Sequence, residues 1–146
     1  MDIEAFAKLL QFSISPIALI SGASLLLLSI TNRFGRVIDR SRALVRELES
    51  HAGTAFKEEH KKQLRILLTR SRYLRDAVLF LIASVFLSAL MIMGVTAQVF
   101  LGWEFKLTVL IFLSLSVFSI CAALAFLFLE VSAGLQALKL EVHRHI

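Results

Sequence analysis

The chain has 146 residues, of which 58% are hydrophobic, with a formal net charge of +5 and a mean hydropathy of +0.79. That balance excludes an ordinary water-soluble domain of this size, which could not cover so much apolar surface. The single cysteine, Cys121, excludes an intrachain disulfide and a cysteine-built zinc site.

Residues 1–12 form the first segment. Ile3, Phe6, Leu9 and Leu10 recur at helical spacing opposite Asp2, Glu4 and Lys8, which predicts a short interfacial helix. Ser15-Pro16 then reads as a new helix start, because serine caps well and proline suits the first helical position. A single helix kinked at Pro16 is the alternative. The acidic N-terminal region argues against a secretory signal, so the first span is expected to be retained.

Three charge-free stretches, residues 9–31, 77–103 and 107–129, each supply the roughly 20 apolar residues that a ~30 Å hydrocarbon core requires. The expected spans are 13–31, 77–101 and 107–129. Between the first two lies a basic segment, residues 32–76. Of the 16 Lys and Arg residues, 12 fall between Arg33 and Arg75, and the positive-inside rule places this segment in the cytoplasm. The N-terminus is then outside. The turn at 102–106, with Trp103 as an interfacial anchor, is also outside, and the C-terminal tail is inside.

The first span runs without a loop into its charged continuation, where Gly35 is the one weak point and Phe34, Val37, Ile38, Leu44, Val45 and Leu48 keep an apolar seam. Gly53 ends this helix and Thr54 caps the next, whose seam is Phe56, Leu64, Leu67, Leu68 and Leu74. Residues 130–146 retain Val131, Leu135, Leu138 and Val142 at the same spacing and predict a cytoplasmic C-terminal helix. The fold class is all-α: one integral membrane domain over 1–146 with three transmembrane helices. Two of them extend into a cytoplasmic antiparallel helical hairpin.

The first span is polar for its length. Ser15, Gly22 and Ser29 are spaced by seven, and Ala18, Leu25 and Asn32 follow on the adjoining line, with Arg36 and Asp39 extending these lines past the membrane. Small and hydroxylated residues let helices approach closely, which is the structural reading. The functional reading makes Ser15, Gly22, Leu25, Ser29 and Asn32 the lining of a pore between several copies. Arg33, Arg36, Asp39 and Arg40 then form its charged inner mouth. Ser116, Ser119 and Ala123 share one face and predict helix packing. Asp76 and Glu130 reach the same depth as Arg33, Arg72 and Arg75, which predicts interfacial ion pairs.

No charge lies near the middle of a span, against proton-coupled transport and voltage sensing. His51, His60, His143 and His145 are expected to be solvated rather than metal ligands. No nucleophile–base set, phosphate loop or cofactor motif is present, so neither an enzyme nor a bound cofactor or metal is expected. The arginines lack interleaved stacking aromatics, so nucleic acid is not an expected partner. Anionic lipid head groups are, together with further copies of the chain and an unidentified protein partner.

The run Ser15-Pro16-x-x-Leu19-Ile20-Ser21-Gly22, then Leu25 to Ser29, then Asn32-Arg33-x-x-Arg36-Val37-x-Asp39-Arg40-x-Arg42 resembles a bacterial membrane family. That family is catalogued as a domain of unknown function, number twenty-seven twenty-one. The resemblance covers nearly the whole chain and is most distinctive in the first span and its extension. It implies three spans with a charged segment after the first, in a bacterial inner membrane, and it implies no activity. Two functions are expected from the residues. One is a homo-oligomeric ion channel or pore lined by the first helix. The other is a non-conducting scaffold or regulatory subunit whose basic hairpin binds a partner protein or anionic lipid.

Overall fold

A computed structural model of the protein describes residues 3–50, 54–101 and 106–142. All regular structure among them is helical: α1 over Ile3–Ser50, α2 over Thr54–Leu101 and α3 over Lys106–Val142. At ~1.5 Å per residue the 48-residue α1 is ~72 Å long, far beyond a ~30 Å hydrocarbon core. Each helix contains a stretch long and apolar enough to cross a membrane, within Ile14–Ser50, His60–Gln98 and Leu107–Leu135. Of the expected break at residues 51–54 and turn at 102–106, Thr54 and Lys106 are the first residues of α2 and α3, and residues 51–53 and 102–105 lie outside the described ones, as do His143 and His145.

The entry into the first span departs from expectation. The chain does not start a new helix at Ser15-Pro16, and residues 3–12 are not a separate segment, because α1 runs unbroken through Pro16. Proline removes one backbone donor and leaves the carbonyl of Phe12 without its helical partner. Membrane helices tolerate this when neighbouring elements cover the site, and Pro16 is fully buried. The helix also passes through Gly35 without interruption.

Burial follows a period of 3.5 residues in each helix. On α1 the buried positions Pro16, Ala23, Ile30, Val37 and Leu44 advance in steps of seven. On α2, Leu74, Ala77, Leu81, Ser84, Ser88, Met91 and Val95 alternate steps of three and four. On α3, Ser116, Ala123 and Glu130 are again spaced by seven, with Ser119 between them. This is the repeat that keeps one side of a long helix turned to its neighbours. Of the apolar spans only 17%, 28% and 17% is buried within the chain, so most of their surface is left for lipid or further copies.

The chain resolves into two compact units. The first combines Met1–Leu28 with Leu79–Ala123. Among the described residues its buried polar side chains are four serines, and Gln98 Nε2 is a further buried polar atom, without a hydrogen bond. Ser116 donates from Oγ to the Ser84 carbonyl at 3.1 Å, and the hydroxyls of Ser84 and Ser88 lie 3.0 and 2.8 Å from the same Oγ. One set of hydroxyl orientations serves all three contacts: Ser116 donates to the carbonyl and accepts from both neighbours. Ser119 donates to the Phe80 carbonyl at 2.7 Å. The face of Ser116, Ser119 and Ala123 is therefore a packing face, with serines small enough to admit a close neighbour. The second unit combines Ser29–Val78 with Leu124–Ile146. Its core has Ile30, Val37, Leu44, Leu74 and Ala77, and beside them the buried carboxylate of Glu130.

Candidate functional site

α1 carries two kinds of side chain on different sides. At 100° per residue, Leu25 and Asn32 lie about 200° around the helix from Ala23 and Ile30. The line of Ser15, Gly22 and Ser29 flanks them. All five expected pore-lining residues, Ser15, Gly22, Leu25, Ser29 and Asn32, are exposed, while Pro16, Ala23 and Ile30 are buried. Leu25 is 72% exposed, so an apolar side chain, too, is left uncovered by its own chain. No atom lies within 4 Å of where a Cβ on Gly22 would stand, so this glycine admits no close neighbour from the same chain. Ser21 and Ser24 return their hydroxyls to the carbonyls of Ile17 and Ile20, at 3.0 and 2.7 Å. Such back-bonding meets the hydroxyl's own needs inside an apolar span.

Past Ile30 the polar line gives way to arginines. Arg33, Arg36, Val37 and Arg40 recur at steps of three and four and share one side of the helix. With Leu67, Arg70 and Glu130 they line an open cleft of about 370 Å³ in the second unit. The structure thus brings Arg33, Arg36 and Arg40 together. Asp39 is exposed and is not among the residues of this cleft.

Glu130 is the anchor of the cleft. Its side chain is 1% exposed, and Oε1 accepts from Arg70 Nε at 3.0 Å and Nη2 at 2.6 Å. Oε2 is buried without a hydrogen bond, and Arg33 Nη1 stands 3.6 Å from it. A carboxylate taken from water needs this kind of compensation, because an unpaired buried charge is far costlier than a paired one. Gly134, one turn beyond Glu130 on the same face of α3, makes room for the partner. A Cβ at Gly134 would come within 3.3 Å of Arg70 Cζ and 3.4 Å of Nη2. The guanidinium therefore lies close over Gly134, and a side chain there would have to displace it.

The expected ion pairs are partly reassigned. Arg33 does face Glu130, but the close partner is Arg70 rather than Arg72 or Arg75. Asp76 pairs instead with its neighbour Arg75, whose Nε and Nη2 donate to Oδ1 at 3.0 and 2.9 Å. The sequence held a signal for Arg70. It lies seven residues before Ala77 and fourteen before Ser84, on a buried line, as Glu130 lies seven after Ala123 and fourteen after Ser116. A charge of each sign on a buried line calls for a partner. Of the histidines, His60 is described, and its Nε2 stands 3.6 Å from a Glu47 carboxylate oxygen. Among the described residues no group of three His, Cys, Asp or Glu side chains is placed to hold a metal ion.

Compared with known proteins, residues 13–140 match the family model described as "Protein of unknown function (DUF2721)". No curated protein and no solved structure matches the chain.

Proposed function

The chain belongs to the DUF2721 family, whose description assigns no activity, and we propose from its own geometry that it is a homo-oligomeric membrane pore lined by α1. The observation that carries this reading is the division of α1. Its buried line is spent on packing within the chain, while Ser15, Gly22, Leu25, Ser29 and Asn32 are turned away from it. In a ring of copies these residues face the axis. A path through the ring passes hydroxyls and an amide before reaching Arg33, Arg36, Asp39 and Arg40. One chain has three spans and too little wall to enclose such a path alone, which is why the reading requires several copies.

The proposed setting is a bacterial inner membrane with the N-terminus outside and the C-terminus inside, on the strength of the basic 32–76 segment. In that setting α1 and α2 extend past the bilayer as an antiparallel hairpin. The Glu47–His60 contact on either side of residues 51–53 supports it. Purified protein in planar bilayers tests the pore. Conductance altered by Ser29→Ala or Asn32→Ala is the expected result, and silence under every ionic, pH and tension condition overturns it.

The exposed Arg36, Arg40, Arg42 and Arg46 favour a second reading, a non-conducting subunit that docks a protein partner or anionic lipid through its basic hairpin. Under that reading, charge reversal at Arg36, Arg40 and Arg42 abolishes the association and no current is seen.

A further inference from the structure

We infer that the cleft between Arg33, Arg36, Arg40 and Arg70 is a binding site for the phosphate of an anionic phospholipid head group. Four guanidiniums and one carboxylate line it, a net charge of +3. Glu130 offsets one of the four positive charges and is engaged with two of the arginines: Oε1 holds Arg70, and Oε2 faces Arg33. Its effect is to fix two of the four arginines in place before a ligand arrives. Arg36 and Arg40 are exposed, one turn apart on α1, and free of any close carboxylate among the described contacts. Guanidinium forks held in this way match phosphate oxygens in shape as well as charge. Val37 and Leu67 give the same cleft an apolar wall, which suits the glycerol and upper acyl carbons that follow a lipid phosphate.

The position of the cleft along the helices selects a lipid over a solute. Arg33 is the first charge after the apolar run 9–31, and Glu130 is the first after 107–129. Arg33 to Arg40 climbs ~10 Å along α1, enough to cross the roughly 5–8 Å head-group layer on one side of a ~30 Å core. The arginines therefore stand where lipid phosphates are found. The head group must carry net negative charge, because a zwitterionic one brings a cation into a site that is already +3. The site takes Arg33, Arg36 and Arg40, which the pore reading puts at the inner mouth, and rests with that reading on the placing of residue 33 onwards at a membrane–water boundary. It does not depend on conduction, and its test reads binding and not current.

The test uses the full chain in detergent micelles and fluorescent phosphatidylglycerol as the probe. Three unlabelled competitors separate the sources: phosphatidylglycerol, phosphatidylcholine and inorganic phosphate. The expected result is saturable binding, displaced by phosphatidylglycerol only. It should weaken about tenfold or more in Arg36→Gln/Arg40→Gln, since each lost charge-assisted contact is worth a kilocalorie or more. Arg65→Gln/Arg72→Gln removes the same charge from exposed positions outside the cleft. It should change affinity less than twofold. Equal weakening in both double variants means diffuse attraction to a basic surface and overturns the site. Equal competition by phosphatidylcholine overturns the charge selection. Displacement by inorganic phosphate at comparable concentration overturns the lipid assignment in favour of a soluble phosphate compound.

Discussion

The two compact units each bury polar groups, and they do so with different chemistry. The first uses Ser84, Ser88, Ser116 and Ser119, whose hydroxyls satisfy one another and nearby carbonyls. The second uses Glu130 with Arg70 and Arg33. The serines lie inside the apolar runs 77–103 and 107–129, and the charges begin where those runs end. Within hydrocarbon a charge is expensive, whereas a hydroxyl can find its partner locally or on the next helix. At the boundary a charge keeps some contact with water, and Arg33 is 44% exposed while Glu130 is not. The chain therefore buries hydroxyls within its apolar runs and a carboxylate just past the end of one. The neutral network joins α2 to α3, and the charged one stands in a cleft with Arg36 and Arg40.

The strongest way to break this contrast is to remove the anchor. Glu130→Ala should destabilise the protein by about 2–4 kcal/mol, the lower part of the range reflecting the partial exposure of both arginines. Unfolding in detergent by heat or denaturant measures it. A loss below half a kilocalorie would show that the pair is no more than a surface contact. A double-mutant cycle with Arg70→Ala should recover a large part of the loss, because the pair is then absent instead of broken.

Gly134→Leu should come next, at about 1–3 kcal/mol, by driving the Arg70 guanidinium off α3. In an Arg70→Ala background the same substitution should lose most of its effect. Equal effects in both backgrounds would place the glycine's role elsewhere.

Ser116→Ala removes the shared atom of the serine network and should cost about 0.6–1.7 kcal/mol, from the average to the upper end of what a hydrogen bond between membrane helices contributes. A cost as large as that of Glu130→Ala would erase the distinction between the two regions. Smallest of all in stability is Ser29→Ala, on the exposed side of α1, expected within about ±0.5 kcal/mol. A larger effect in the isolated chain would mean that this side packs within the chain after all. On the pore reading the same change should alter conductance.

Much of this fold was legible in the sequence because membrane spans are set by length and polarity. The charge-free runs located three helices, and Gly53 with Thr54 located the break between the first two. Pro16 misled because Ser-Pro is a sound helix start in isolation, while here a covered, buried environment carries the helix through it. The basic side of α1 was visible as a run of arginines, and the structure gathers Arg33, Arg36 and Arg40 while leaving Asp39 out. Arg70 was harder to see among Arg65, Arg72 and Arg75. Composition cannot tell which arginine of such a run turns inward; that depends on helix phase, which the seven-residue spacing from Ala77 would have supplied. Gly134 carried no signal by itself, since its purpose exists only once Arg70 lies across it.

A pore lined by α1 requires its exposed side to meet water, and thiol accessibility in intact membranes measures it. Cys121, itself exposed, is first replaced by alanine. Single cysteines are then placed at Ser29 on α1 and at Phe118, a 66% exposed position within the third apolar run. Both are open in the single chain. The pore reading has a charged, water-soluble thiol reagent modify Ser29→Cys and leave Phe118→Cys untouched. Protection of both positions would place the Ser29 side of α1 against lipid or another helix and contradict the pore.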